Sequence, residues 1–577
     1  MAASLKEPVI RFFRLLENDR KDLFYVYTFA IISGIVNLSL PLGIQAIIGL
    51  IMGGRVSNSW IILVVIVLIG ILATGILQIL QVQIIELIQQ RIFARSAFEF
   101  AFRIPRIKTE SVFRRHAPEL VNRFFDTLTV QKGLPKILID FVTAVLQIVF
   151  GLLLLSFYHP FFVLYGIFLL LLLFIIFYFT SPKGLRTSIE ESNYKYEVAH
   201  WLEEVARTMN TFKLAGHSKL PQEKADLLVT KYLKARKAHF RVVIFQFSNI
   251  VAFKFLVTGG LLILGGILVI NRELNLGQFV AAEIIIILII NSVEKIINNI
   301  ETIYDVLTGL EKIGVVTDLP LEKDEGLCAD DIPNKGPMTL RTESLSYRFP
   351  NENNYALKDI TVDVPSQHHV AIVGPSGSGK STLMAALAGL FENIEGQISY
   401  ERIPLNNWDL ESLRAMIGDN LIQEDLFQGS LLENLTLGRE MPFQQVQDAV
   451  EVVQLSSWIE SLSQGYDTEL QPLGKLLSRA VTRKILLARA IIYQPRLLLL
   501  EDFGRISIKE WKGTIPKFLV APDRPWTLIV STKDEDMVRV CNEIWYMENG
   551  RIVDKADGWT DAQKKTWFKE VFPDVLC

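Results

Sequence analysis

Nine consecutive residues have the means to do phosphate chemistry: Gly374, Pro375, Ser376, Gly377, Ser378, Gly379, Lys380, Ser381 and Thr382. They fit the pattern G-x-x-x-x-G-K-[ST]. Glycines let backbone N–H groups turn inward around phosphate oxygens. Lys380 can reach the β- and γ-phosphates of a nucleoside triphosphate, and the Ser381 hydroxyl can ligate Mg²⁺.

Such a loop works only if a strand delivers it and a helix leaves it. Val370-Ala371-Ile372-Val373 reads as a buried strand entering it, and Thr382-Leu383-Met384-Ala385-Ala386-Leu387-Ala388 as a helix departing. The N-terminus of that helix adds its dipole to anion binding. An ordinary glycine-rich turn would need none of this context.

At 577 residues the chain is too long for one core, so two or more domains are expected. Half of its residues are hydrophobic and its mean hydropathy is +0.31, which points to membrane spans. The net charge of −3 gives no sign of a nucleic-acid partner. Cys328, Cys541 and Cys577 lie far apart, with no metal or disulfide spacing. Met1 to Lys21 is charged and carries no apolar core of the secretory-signal kind.

The first half is built of long uncharged runs. Leu23–Gly54, Trp60–Ile85 and Phe141–Pro182 contain no Asp, Glu, Lys or Arg. The last is long enough for two spans turning at His159-Pro160. Val242–Ile270 is interrupted only by Lys254, and Gly277–Val293 only by Glu283. About 20 apolar residues cross a bilayer as a helix. Six spans are therefore expected, at 23–54, 60–85, 137–157, 161–180, 242–270 and 277–300. Residues 5–20, with Ile10, Phe12, Phe13, Leu15 and Leu16 among charges, read as an interfacial amphipathic helix or a packed core element.

Loop 86–136 carries ten Lys and Arg, and loop 183–241 carries twelve. The opposite turns carry only Arg55 and Arg272. Cationic loops stay on the cytoplasmic side, so both long loops and both termini are expected there. Each exceeds 50 residues, too long for a plain connection. The spans should therefore continue as helices beyond the bilayer and turn near His116–Arg123 and near Glu197–Arg207. Lys254 and Glu283 differ in depth by roughly 13 Å at 1.5 Å per residue, which argues against a direct pair. Either could line a translocation cavity; snorkelling or an interhelical hydrogen bond is the plainer reading.

Residues 301–335 mark a boundary, with Glu322, Lys323, Asp324, Glu325, Asp330, Asp331 and Pro333 as a charged linker. We place the membrane domain at 1–325, a linker at 326–335 and an α/β domain at 336–577. In that last stretch Leu345-Ser346-Tyr347-Arg348-Phe349-Pro350, Tyr355-Ala356-Leu357-Lys358-Asp359-Ile360, the run Ala415–Gln423, Leu426–Leu435, Gly465-Tyr466-Asp467-Thr468-Glu469, Leu486-Leu487-Ala488-Arg489-Ala490 and Pro495–Leu500 follow one another in order. With the phosphate loop they resemble an ABC transporter half of the exporter type, six membrane helices fused to one ATPase domain. The membrane half looks most like exporters of peptides, toxins or proteins, with Leu40-Pro41-Leu42 in the first span part of that likeness.

The resemblance implies an all-α six-helix transmembrane domain of ABC-exporter type. After it would come an α/β P-loop nucleotide-binding domain with a helical subdomain. It implies ATP and Mg²⁺ as cofactors. Phe349 would stack on adenine (Tyr347 is the nearby alternative), and Gln423 would touch Mg²⁺. Ser478 would meet the nucleotide of a second half, so that two halves close on ATP. It also implies a multi-pass protein of the bacterial inner membrane, in contact with lipid.

The departures from that family fall on the groups that do the chemistry. The signature L-S-G-G-Q reads Leu477-Ser478-Arg479-Ala480-Val481. Arg479 adds bulk where glycine allows close approach, and also a charge that can pair with phosphate. The acidic pair is inverted, Glu501-Asp502. Asp502 is one methylene short of the usual base, and Glu501 one carbon longer than the usual metal-side acid. A misplacement of about 1 Å can cost a hundredfold in rate. Ile508 stands for an aspartate, Pro472 for a glutamate and Lys533 for the switch histidine; an ammonium cannot accept a hydrogen bond.

The resemblance therefore implies an ATP-binding exporter subunit with weak or no hydrolysis, moving a peptide, protein, lipid or hydrophobic compound. Its partner would be a second half, identical or catalytically complete. The alternative is an active homodimer in which Glu501, Asp502 and Lys533 serve as adequate catalytic substitutes. Six apolar spans exclude a soluble P-loop enzyme.

Overall fold

A computed structural model describes residues 6–52, 58–113, 117–421, 426–503 and 514–571. The chain divides into two compact units, residues 1–105 with 115–319, and residues 106–114 with 320–577.

The first unit is helical. Among the described residues, six helical stretches are long and apolar enough to cross a membrane: Glu7–Met52, Asn58–Arg106, Glu119–Ser156, Pro160–Arg207, Leu220–Ile270 and Leu276–Thr317. The chain is a multi-pass membrane protein. Three of its helices run for 46, 48 and 51 residues, well past the apolar runs that start or end them. The first stretch is not continuous. It breaks between Arg20–Asn37 and Ser39–Met52, just ahead of Pro41 in the first turn of the latter. Proline is tolerated there because first-turn N–H groups have no intrahelical acceptor. After Pro135, Lys136–Phe141 takes a π-helical turn before the helix Val142–Ser156 resumes.

The helix Asn58–Arg103 ends two residues before Pro105 and gives way to the short turns Ile104–Arg106 and Thr109–Val112; the expected turn at His116–Arg123 begins outside the described residues, and Ala117–Asn122 within it is helical. Pro105 has no N–H to continue the α-helical ladder, and the helix gives way there to a 3₁₀ turn over Ile104–Arg106. The helix Pro160–Arg207 runs straight through Glu197. The second turn is at 208–219, where Gly216 has φ +68° and Pro221 starts the next helix.

The N-terminal helix Glu7–Leu16 packs on the core by one face and leaves the other open. Leu16 is buried and Phe12 and Leu15 pack on the core, while Ile10 and Phe13 are exposed. Lys254 forms an ion pair with Glu294, not with Glu283, which is half-buried. A cavity of about 630 Å³ opens among the helices. Its lining is apolar, including Phe141, Phe174 and Phe177, apart from Ser181 and Tyr304.

The described residues of the second unit hold twelve strands: β1 Leu340–Tyr347, β2 Leu357–Val364, β3 His369–Val373, β4 Glu395–Tyr400, β5 Ile403–Pro404, β6 Ile417–Asp419, β7 Gly429–Ser430, β8 Glu469–Leu470, β9 Leu497–Phe503, β10 Thr527–Thr532, β11 Glu543–Glu548 and β12 Arg551–Asp557. The main sheet has the order β12-β11-β3-β10-β9-β6. All but β12 are parallel, so β3 and β9 flank β10 and end on the same edge. Their near-unbroken Val/Ile/Leu sequences fit strands covered on both faces. One face packs on the helix Lys380–Leu387 and the antiparallel sheet β2-β1-β4-β5. The other packs on a helical layer that includes Leu431–Thr436, Phe443–Val452 and Arg479–Ile491.

Candidate nucleotide site

In parallel α/β sheets, ligands bind beyond the carboxyl ends of the strands. Here that edge gathers the residues picked out above. Val373 ends β3 and opens into the loop Gly374–Gly379, and Lys380 begins the helix Lys380–Leu387. Two loop glycines are required by geometry. A Cβ on Gly374 would stand 2.2 Å from the Met547 carbonyl oxygen. One on Gly379 (φ +99°) would stand 2.8 Å from that of Ala356. Both contacts are with backbone, which cannot move aside.

Lys380 Nζ donates to the carbonyls of Gly374 at 3.0 Å and Pro375 at 2.7 Å, and to Ser378 Oγ at 3.2 Å. Ser378 is buried and its carbonyl accepts from Gly550 N at 3.0 Å. Pro375, Ser376 and Gly377 are exposed, and Thr382 sits half-buried in the helix that follows. The ammonium and the loop's N–H groups thus share one concave turn, suited to an anion.

At the end of β9, Glu501 accepts a hydrogen bond from Ser381 Oγ. Glu501 is itself held by Asn420, which follows β6. Glu501 N donates to Asn420 Oδ1 at 2.7 Å, and Asn420 Nδ2 lies 3.4 Å from the Glu501 carbonyl. A hydroxyl and a carboxylate side by side make a hard oxygen pair of the kind Mg²⁺ takes. Asp502 follows in β9, and its side chain lies outside the described residues, as do Gln423 and Ile508. Lys533 is exposed at the end of β10. Pro472 opens a short 3₁₀ turn.

Ser478 caps the helix Arg479–Ile491, accepting from Val481 N at 3.2 Å. Arg479 is therefore the first residue of that helix, and it is exposed. Phe349 stands at the start of the turn between β1 and β2. That turn ends at Ala356, whose carbonyl abuts Gly379. Phe349 is half-buried, whereas Tyr347 is only 1% exposed and stacked on Phe391 at 4.3 Å. Of the two aromatics, Phe349 is the one with a free surface.

Two features are not legible in the sequence. Asn420 lies within the run Ala415–Gln423, and an asparagine's role depends on which backbone it meets. Residues 106–113 are the other. Ile107 bridges to Leu321, Lys108 N donates to Pro320 O at 3.1 Å, and Glu322 N donates to Arg106 O at 2.8 Å. Lys108 pairs with Glu392, and Asn393 N donates to Glu110 at 3.1 Å. Pro105 was the available signal for this excursion.

Comparison with known proteins agrees with the geometry. Residues 357–503 match the family model "ABC transporter", and residues 23–293 match "ABC transporter transmembrane region". The transport/processing ATP-binding protein ComA of Streptococcus pneumoniae is 26% identical over 77% of this chain and 61% of its own length. The ATP-dependent lipid A-core flippase of Legionella pneumophila is 26% identical over 57% of this chain and 56% of its own. The sophorolipid transporter of Starmerella bombicola is 27% identical over 47% of this chain but 21% of its own. The chain thus spans between about a fifth and three fifths of these relatives. The solved structure of a bacterial Atm1-family ABC exporter with ATP bound shares the fold, with a TM-score of 0.80 at 16% identity over 97% of this chain and 99% of that one. With both family regions in order on one chain, an ATP-binding domain behind a six-helix membrane region, the protein belongs to the ABC transporter family as an exporter-type half-transporter.

Proposed function

We propose that the protein is the ATP-binding half of an exporter that binds Mg·ATP firmly and turns it over slowly or not at all. The observation that carries this reading is the contrast at the sheet edge. Lys380 and Ser381 stand in an intact loop, while a glutamate, Glu501, occupies the metal-side position and Arg479 the signature helix. Ser381 and Glu501 would hold Mg²⁺, which would neutralise phosphate charge. Lys380 would turn from the loop carbonyls to the phosphates, and Phe349 would take the base.

A second half, identical or catalytically complete, would supply the opposing surface. Its nucleotide would meet Ser478 and Arg479, where a guanidinium can pair with phosphate at the cost of the glycine's close approach. The positive loops favour both termini in the cytoplasm, and the family resemblance favours a bacterial inner membrane. For cargo, the resemblance of the membrane half to exporters of peptides, toxins or proteins favours a peptide or protein, and the apolar cavity with Ser181 and Tyr304 suits apolar side chains or a lipid chain.

The test is ATP binding and steady-state hydrolysis by the purified full chain, beside Lys380→Ala. Binding that the variant weakens about 10- to 100-fold, with negligible phosphate release, is expected. Turnover of several per second that the variant abolishes would establish the active-homodimer alternative.

A further inference from the structure

We propose that Phe113 is a positioning residue for the adenine base, acting through Phe349. This rests on the reading of Phe349 as the base platform. Phe349 is surrounded edge-to-face by three rings: Phe113 at 5.4 Å and 73°, Tyr347 at 5.3 Å and 79°, and Phe391 at 6.1 Å and 75°. Tyr347 and Phe391 are core residues, 1% and 5% exposed, lying flat on one another. They cannot yield. Phe113 differs. It is 42% exposed, and it also meets Phe391 at 5.9 Å. It is held in place by the short segment from Arg106, through the Leu321 bridge, the Lys108–Glu392 pair, the Glu110–Asn393 bond and an Arg106–Glu411 pair at 2.8 Å.

A stacking platform helps a ligand only while its plane is held. Base–aromatic stacking is sequence-tolerant because every base has a π-face, so its strength depends on ring placement more than on hydrogen bonds. Phe349 has no polar group to fix its plane; its neighbours do so by ring geometry. Two of those neighbours are fixed in the core, and the third is carried on a segment lying in sequence between the helices Asn58–Arg103 and Ala117–Asn122. The third ring, Phe113, is the exposed one, and its loss would leave Phe349 braced by two rings instead of three.

The experiment compares the affinities of ATP and inorganic tripolyphosphate for the full-length protein and for Phe113→Ala, Phe113→Tyr and Phe349→Ala. Phe113→Ala should weaken ATP about three- to tenfold, the worth of one aromatic pair, and leave tripolyphosphate unchanged. Phe113→Tyr should restore ATP binding. Equal loss of both ligands would mean a general effect on the fold and overturns the inference. So does unchanged ATP affinity in Phe113→Ala when Phe349→Ala weakens it. If Phe349→Ala leaves ATP binding intact, the platform reading itself falls, and the inference with it.

Discussion

The Ser381 hydroxyl donates its hydrogen bond to the carboxylate of Glu501, joining the phosphate loop directly to the end of β9. A carboxylate one carbon longer than aspartate thus reaches the group expected to ligate the metal. Substituting Glu501→Ala should weaken Mg²⁺ binding to the ATP complex by about 10- to 100-fold, the range seen when groups around a metal are removed. Glu501→Asp should lose less. Calorimetric titration of ATP with and without Mg²⁺ reads this directly.

Restoring the family order of the acidic pair tests whether base placement limits turnover. The double substitution Glu501→Asp with Asp502→Glu adds a carbon to the candidate base and removes one from the metal-side acid. Phosphate release should rise on the order of a hundredfold if a misplaced base is the chief defect. A flat result would shift the blame to Arg479 and Lys533.

His369 begins β3, is 5% exposed, and its Nδ1 finds no hydrogen-bond partner among the described residues. Burial holds its pKa below the ordinary 6.5, with His368 adding in the same direction. Above about pH 6.5 the imidazole is neutral both folded and unfolded, and contributes no pH dependence. As pH falls below that value the unfolded chain takes up the proton and the folded one resists. Stability should drop between about pH 6.5 and the lowered folded value. His369→Gln should flatten that part of a melting-temperature profile.

Cys541 is 1% exposed and burial pushes its thiol up to about 12, whereas Cys328 is exposed. Only the thiolate reacts quickly. In a Cys577→Ser background, maleimide at pH 7 should modify Cys328 and leave Cys541 untouched until the domain is denatured. Mass spectrometry of the peptides gives the answer.

The phosphate loop and the strands around it were readable because their constraints are local. A fixed spacing of glycine, lysine and serine works on any sheet edge, and buried parallel strands announce themselves as apolar runs. The six spans were readable for a similar reason, since length and lack of charge are enough. Contacts between distant segments were not readable. Lys254 meets Glu294 because two helices lie at a particular register, and a count of residues from one turn cannot give that. Ile107 pairs with Leu321 across more than two hundred residues, and no periodicity connects them. The first turn is hard to place because 104–123 is charged throughout and holds two prolines, Pro105 and Pro118, and nothing in the sequence says which of them ends the helix.

Residues 106–114 belong to the compact unit that otherwise begins at Pro320, so no single cut of the chain separates the two units cleanly. A fragment starting at Pro320 would lose the edge partner of Leu321 and the lysine that faces Glu392. It would also leave Phe349 and Phe391 bare on one side. An exposed apolar patch of this kind favours self-association. Supplying residues 106–113 as a separate peptide, or splicing them ahead of Pro320 through a flexible tether, is therefore the practical route to a soluble, well-behaved nucleotide domain.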